Sequence, residues 1–221
     1  MDQFIQFDGN LLIGIQNALN ADWLTPIMKS ITFLGEYGLL PILVCLLLLI
    51  FKRTRRLGII CSLSLLVTFI VCNLGLKPIV DRERPWVLFE AVNRMVADPG
   101  DASFPSGHTA NSIAPAWAAF VATLPMKTST GRSYDVVPCL GWRGDGADPK
   151  TAHKWSVLAI IIAALIGLSR LYLGMHFPSD VVCGFLIGMI CATLVYTIII
   201  ATEKKRGIIG GPQHKDPAAT E

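Results

Sequence analysis

The sequence predicts an all-α protein, a polytopic membrane bundle of about five transmembrane helices preceded by an interfacial amphipathic helix. Two observations lead there. Hydrophobic residues make up 52% of the 221-residue chain and charged residues only 16%, where a soluble domain carries about 25% charge. The apolar residues also come in lengths that cross a bilayer, and the mean hydropathy is +0.54.

The spans are read in order. Phe4, Ile5, Phe7, Leu11, Leu12, Ile15 and Leu19 fall largely on one side of a helix, which suits a membrane surface or the top of a bundle. No basic start leads directly into an apolar core, so no cleavable signal peptide is expected. Gly38–Phe51 is an uncharged run of 14 residues. It is short for the hydrocarbon, so the first span extends upstream through Glu36 and Lys29 or thins the bilayer locally. Leu57–Leu76 gives 20 uncharged residues, the interval between Asp101 and Lys127 gives 25, and Val181–Thr202 gives 22. Trp155–Ser169 forms the fourth span, and its helix can continue past Arg170.

With five spans and an outside N-terminus, the inner segments hold 13 of the 19 Lys and Arg residues. Positive charge in short loops favours the cytoplasmic side. The expected topology is a multi-pass plasma-membrane protein with its N-terminus outside and its C-terminus cytoplasmic. Residues 1–206 form one membrane domain, and the Gly/Pro-rich tail 207–221 is expected to be disordered. The inner loop 126–154 is punctuated by Gly and Pro, which predicts irregular structure. Its Trp142, with Trp155, suits the interface. Of the six cysteines, five lie in spans and Cys139 in the inner loop, and no CxxC or Cys/His metal spacing occurs. They read as small apolar packing residues.

Three polar clusters interrupt this pattern within residues 77–180. Lys77-Pro-Ile-Val-Asp-Arg-Glu-Arg84-Pro85 closes the second span. Pro105-Ser106-Gly107-His108 opens the third. Ser169-Arg170 and His176-Phe-Pro-Ser-Asp180 lie between the fourth and fifth. Span parity puts all of them at the outer face.

Their chemistry points to a phosphate. Lys77, Arg84 and Arg170 are cations at the edge of a low-dielectric region, and Arg matches phosphate oxygens with its planar fork. Asp81 and Glu83 are candidate partners for Arg82 or Arg84. Ser106 suits a helix N-cap, whose free N–H groups and dipole attract anions. Gly107 permits close approach of a ligand to the backbone. His108 can protonate a leaving oxygen. His176 and Asp180 stand four residues apart, on one helical face or around a helix opened by Pro178. Either arrangement lets Asp180 fix the imidazole and free its other nitrogen to attack phosphorus. A divalent metal is not expected, because the cations oppose it and carboxylates are few.

These motifs resemble the type 2 phosphatidic acid phosphatase superfamily, whose pattern is K-x6-R-P, P-S-G-H and S-R-x5-H-x3-D. Every position is filled, by Lys77, Arg84 and Pro85, by Pro105 to His108, and by Ser169, Arg170, His176 and Asp180. The resemblance implies a helical bundle and hydrolysis without metal or cofactor through a phosphohistidine. His176 would be the nucleophile, Asp180 its partner and His108 the general acid. Lys77, Arg84, Ser106, Gly107 and Arg170 would bind phosphate. It further implies a lipid phosphate substrate among membrane lipids, with no nucleic-acid partner. The chain is most similar in character to bacterial undecaprenyl-diphosphate phosphatases. Phosphatidate or phosphatidylglycerol-phosphate phosphatases, a lipid phosphotransferase and a non-catalytic lipid-phosphate binding or transport protein are the alternatives.

Overall fold

The structure, a computed structural model, describes residues 2–19, 21–124, 126–127, 133–134 and 149–206. The helices are α1 (Gln3–Leu19), α2 (Leu24–Gly35), α3 (Leu39–Ile50), α4 (Arg55–Phe69), α5 (Lys77–Val80), α6 (Pro85–Leu88), α7 (Gly107–Ala122), α8 (Pro149–Tyr172) and α9 (Pro178–Lys205). The described strand structure is one antiparallel pair of two-residue strands, Met126–Lys127 with Ser133–Tyr134. The protein is an all-α, multi-pass membrane bundle.

Four helical stretches are long and apolar enough to cross a membrane: Leu24–Ile50, Arg55–Leu88, Lys150–Tyr172 and Pro178–Glu203. The first joins α2 to α3 through a kink. There Tyr37 (φ 52°) and Gly38 (φ 70°) take left-handed backbone, so the short run starting at Gly38 does extend upstream as expected. α4 continues through a π-helical turn, Ile70–Leu76, into α5.

The third expected crossing is shorter than its uncharged run. α7 has 16 helical residues, about 24 Å at 1.5 Å per residue. The run begins at Ala102, but Ala102–Ser106 is not helical and serves the site described below. At its far end the Thr123 hydroxyl bonds back to the carbonyls of Ala119 and Phe120, both at 2.9 Å. α7 is nonetheless the hub, packing on α4, α8 and α9. Ala110, Ala114, Ala118 and Ala122, one turn apart, are all fully buried. α9 meets this small-residue stripe with Gly184 and Gly188. A Cβ on Gly184 would lie 2.7 Å from the Ser106 carbonyl oxygen, and one on Gly188 would lie 2.7 Å from that of Ala110. The pair is the small-xxx-small arrangement by which membrane helices bring their backbones close. The outward faces of α3, α8 and α9 are exposed Leu, Ile and Val, including Leu43, Leu47, Leu158, Ile161, Leu186 and Leu194. That is the surface a lipid solvent requires.

α1 forms as expected over the N-terminal apolar pattern, but it docks through its polar side. Asp8, Leu12 and Gln16 are buried, while Phe4, Phe7 and Leu11 face outward. Gln16 donates to the carbonyls of Asn93 and Tyr172, both at 2.9 Å, and accepts from the Asn93 N–H at 3.1 Å. Three backbone polar groups are thereby satisfied, which ties α1 to Asn93 and to the end of α8. α8 begins at Pro149, earlier than the expected start at Trp155. Most of the inner loop, with Cys139 and Trp142, and the tail 207–221 lie outside the described residues.

Candidate active site

The three motif clusters meet at one end of the bundle, held by backbone bonds between them. The Ser106 N–H donates to the Asp180 carbonyl at 3.1 Å, and the Ser103 N–H donates to the Arg82 carbonyl at 2.8 Å. Arg84 closes the ring by donating Nη1 to the Met175 carbonyl at 2.7 Å. Lys77, Arg84, Ser106, Arg170, His176 and Asp180 are all buried.

The cations are not free. Lys77 and Arg84 both pair with the Asp101 carboxylate, and Arg84 Nε also donates to the Asp101 carbonyl at 2.9 Å. Burial tends to raise the Asp101 pKa, but the hydrogen bonds and charges of Lys77 and Arg84 outweigh it and hold the group below the usual carboxylate range. Asp101 thus occupies the place between two cations that a phosphate would take. Sequence reasoning missed it: the expected partners Asp81 and Glu83 are exposed, and Asp101 lies 17 residues past Arg84. Arg170 donates Nη1 to the Thr32 hydroxyl of α2 at 2.8 Å, and its Nε is buried with no partner among the described residues.

His176 precedes α9 and Pro178 is the helix's first residue, so the pair is built around a helix start rather than along one face. His176 Nδ1 lies 3.6 Å from Asp180 Oδ2. That is beyond a direct hydrogen bond, within reach of one small shift. Burial depresses the His176 pKa to about 4; Asp180 opposes this, and the charges of Arg84 and Arg170 add to it. The ring is therefore neutral near pH 7, the state a nucleophile needs.

Asp180 is anchored more completely than its sequence pattern suggests. Its Oδ2 accepts from the Ser103 hydroxyl at 2.6 Å and the Phe177 N–H at 2.9 Å. Its Oδ1 accepts from Arg82 Nη1 at 2.7 Å. Arg82 in turn pairs with Asp8 of α1 at 2.8 Å and stacks 3.9 Å over the Phe177 ring. Asp8 also accepts from Ser179, through its N–H at 3.1 Å and its hydroxyl. Arg82, Ser103 and Asp8 were not singled out by the motifs. The one available signal for Asp8 was a carboxylate within an otherwise uncharged amphipathic helix.

Ser106 occupies the N-cap of α7 as expected, but its hydroxyl accepts from Thr109 at 2.9 Å rather than capping a backbone N–H. The first-turn N–H groups stay available. A Cβ on Gly107 would lie 2.9 Å from Asn73 Nδ2, so a side chain there would push the Asn73 amide aside. A cavity of about 880 Å³ opens against His108, Lys77, Asp101 and Arg170. It continues between α3 and α4 along Ile42, Leu46, Leu65, Leu66 and Phe69. His176 and Arg84 lie behind its Asp101 and Met175 wall rather than on it.

The PAP2 superfamily model matches residues 56–203. The chain belongs to this superfamily. Among curated relatives, the undecaprenyl-diphosphatase of Sulfolobus acidocaldarius is 30% identical over 173 residues, 77% of this chain and 69% of that protein. Phosphatidylglycerophosphatase B of Bacillus subtilis is 31% identical over 179 residues, 78% of this chain and 74% of that protein. The crystal structure of the PAP2-type phosphatidylglycerolphosphate phosphatase from Bacillus subtilis superposes with a TM-score of 0.64 at 24% identity, covering 92% of this chain and 88% of the other. Aquifex aeolicus LpxE superposes at 0.59 with 27% identity, covering 85% and 93%. As a PAP2 protein with these membrane-spanning helices, the chain is an enzyme, a hydrolase of lipid phosphates.

Proposed function

We propose that this PAP2 protein hydrolyses a polyprenyl diphosphate, of the undecaprenyl type, through a phosphohistidine and without a metal. The observation that carries the reading is a cavity whose polar end holds His108, Lys77 and Arg170, with Arg84 and a neutral His176 facing Asp180 buried behind that end, and whose other end is apolar. The polar end suits the phosphoryl group and the apolar end suits an isoprenoid chain. One curated relative is named for undecaprenyl diphosphate.

In this mechanism the His176 nitrogen turned away from Asp180 attacks phosphorus. The bond to the leaving oxygen breaks as His108 protonates that oxygen. Water then attacks the phosphohistidine, His108 takes its proton, and phosphate departs. Lys77, Arg84, Arg170, the Ser106 hydroxyl and the N–H groups that open α7 from Gly107 onward neutralise the transferring group. Asp101 yields its place between Lys77 and Arg84 when phosphate enters. The Lys/Arg distribution supports a site on the extracytoplasmic side with a cytoplasmic C-terminus.

A phosphatidylglycerol-phosphate or phosphatidate phosphatase is the second reading, favoured by the relative of that name at 31% identity. Purified protein in detergent with excess chelator, given undecaprenyl diphosphate and phosphatidate side by side, separates the two. The lead reading expects chelator-resistant phosphate release, faster from the diphosphate and absent in His176→Ala. Preference for phosphatidate installs the second reading. Loss of activity on chelation overturns the metal-free mechanism, and phosphate appearing on an acceptor lipid indicates a transferase.

A further inference from the structure

Two asparagines line the site cavity, Asn73 with its amide against Gly107 and Asn111 one helical turn deeper than His108. Asn111 follows His108 by three residues on α7, so it lies about 4.5 Å further along the helix on a neighbouring face. Asn73 comes from the π-helical turn of α4, a distortion that recurs at functional sites. Asn111 Nδ2 donates to Asn73 Oδ1 at 3.2 Å. The rest of the pair is unspent: Asn111 Oδ1 is buried without a partner, and among the described residues no hydrogen bond uses Asn73 Nδ2. An unmade bond at the buried Asn111 Oδ1 is costly, while the half-buried Asn73 Nδ2 is open to the cavity. A polar pair left half-satisfied on a cavity wall is therefore matched to something that enters the cavity.

What enters follows from the direction of the reaction, and here the inference rests on the lipid-phosphatase reading above. Displacement at phosphorus keeps the attacking and leaving atoms roughly in line. His176 lies behind the cavity wall, so the leaving oxygen points away from it, toward His108. The group beyond that oxygen must pass the Asn73–Asn111 level before reaching the apolar walls of Leu65, Leu66 and Phe69.

We propose that Asn73 and Asn111 form a leaving-group station, which hydrogen-bonds the polar link between the scissile phosphate and the lipid tail. Asn73 Nδ2 donates to an acceptor oxygen of that link. Asn111 Oδ1 accepts from the O–H formed when His108 protonates the leaving oxygen. The link is a retained phosphate in a polyprenyl diphosphate and glycerol ester oxygens in a phosphatidate; both present acceptor oxygens at this depth.

Asn73→Leu and Asn111→Leu keep the side-chain volume and remove these hydrogen bonds. kcat/KM would be measured for farnesyl diphosphate, dioctanoyl phosphatidate and p-nitrophenyl phosphate, the last having neither link. The expected result is a loss of roughly 10- to 100-fold on a lipid substrate, the scale of hydrogen bonds to charged or well-buried groups, and a much smaller loss on p-nitrophenyl phosphate, whose good leaving group depends little on protonation. The turnover retained on p-nitrophenyl phosphate also certifies that the variants fold. Loss confined to farnesyl diphosphate identifies the link as phosphate, and loss confined to phosphatidate identifies it as ester. Equal losses on all three substrates, or none on either lipid, overturn the station while leaving the phosphatase reading intact. A wild-type protein inert toward all three sinks both.

Discussion

The two ends of the bundle both bury charge and histidine, and they do so to opposite effect. At the end opposite the motifs, Arg56 of α4 pairs with Glu203 of α9. His153 stacks on Phe120 with ring centroids 4.9 Å apart, and its Nδ1 meets the Thr123 hydroxyl at 3.0 Å. At the motif end, Lys77 and Arg84 share one carboxylate that is 44% exposed at its side chain, while Arg170 has a hydroxyl in place of a counter-ion. His176 keeps an unbonded Nδ1 facing Asp180. Charge matched on site is architecture. Charge left in excess beside a cavity is a binding site for an anion, because buried charge persists only where a partner arrives.

The largest effect should come from the histidine that is not satisfied. His176→Ala should lower kcat by at least about 10³-fold, since triad-type nucleophiles act as a unit with their partners. The equivalent His153→Ala should leave kcat within about twofold. Comparable losses at the two positions, measured as phosphate release, would erase the distinction between the ends. Next in size, Arg84→Ala and Arg170→Ala should each cost roughly 10²- to 10³-fold in kcat, the scale of a lost transition-state donor. Asp101→Ala should do the reverse for binding. With its carboxylate gone from between Lys77 and Arg84, inorganic phosphate should inhibit about tenfold more tightly; weaker inhibition would mean that Asp101 orients the cations rather than competing with the anion.

The contrast between the ends also marks what the sequence could carry. The helical membrane fold and the meeting of the three clusters at one end of the bundle were legible, because both follow from hydropathy and from the order of the spans. Asp8, Arg82, Ser103 and Asp101 were not. Their roles depend on contacts such as Asp8 with Ser179, 171 residues apart, which no local period encodes. The start of α7 was legible from its N-cap Ser106, whereas the uncharged interval from Ala102 overstates the helix because hydropathy does not distinguish it from the non-helical Ala102–Ser106 segment. The sequence left open which side of α1 docks: Asp8, Leu12 and Gln16 are buried while Phe4 and Phe7 stay exposed, a division that the apolar pattern alone does not assign.

Two smaller effects sharpen the account of the motif end. Burial sets the His176 pKa near 4, so on lowering the pH the free enzyme should lose kcat/KM to His176 protonation only well below the ordinary histidine range. An acid limb near 6.5 assigned to His176 by its absence in a solvent-exposed control substrate series would contradict that burial. The same depressed value means that the unfolded chain binds this proton more readily than the folded one. Stability from His176 is fully present above about 6.5 and is lost as pH falls toward 4. Asp8→Asn keeps the shape of the α1 contact but removes the charge that Arg82 shares with Asp180. Its expected effect is about a tenfold fall in kcat with little change in KM, because Asp8 acts by positioning; a change confined to KM would make α1 part of substrate binding.

The smallest effect on activity should come from the opposite end, and it is the sharpest control on the comparison. Glu203→Gln leaves Arg56 without its carboxylate at a site where the Glu203 side chain is 18% exposed. The cost should fall between those of exposed and buried pairs, about 1–2 kcal/mol, read as a lower apparent Tm of purified protein in detergent. Turnover at a temperature where both forms are folded should be unchanged, since α4 and α9 are locked together near the site by their own packing on α7 and by Gly184 and Gly188. A fall in kcat that persists below the unfolding range would mean that the Arg56–Glu203 clasp sets the tilt of α4, and through its π-helical turn the position of Asn73 and Lys77. In that outcome the two ends would be one mechanical unit, and the matched charges of one end would be holding the unmatched charges of the other in place.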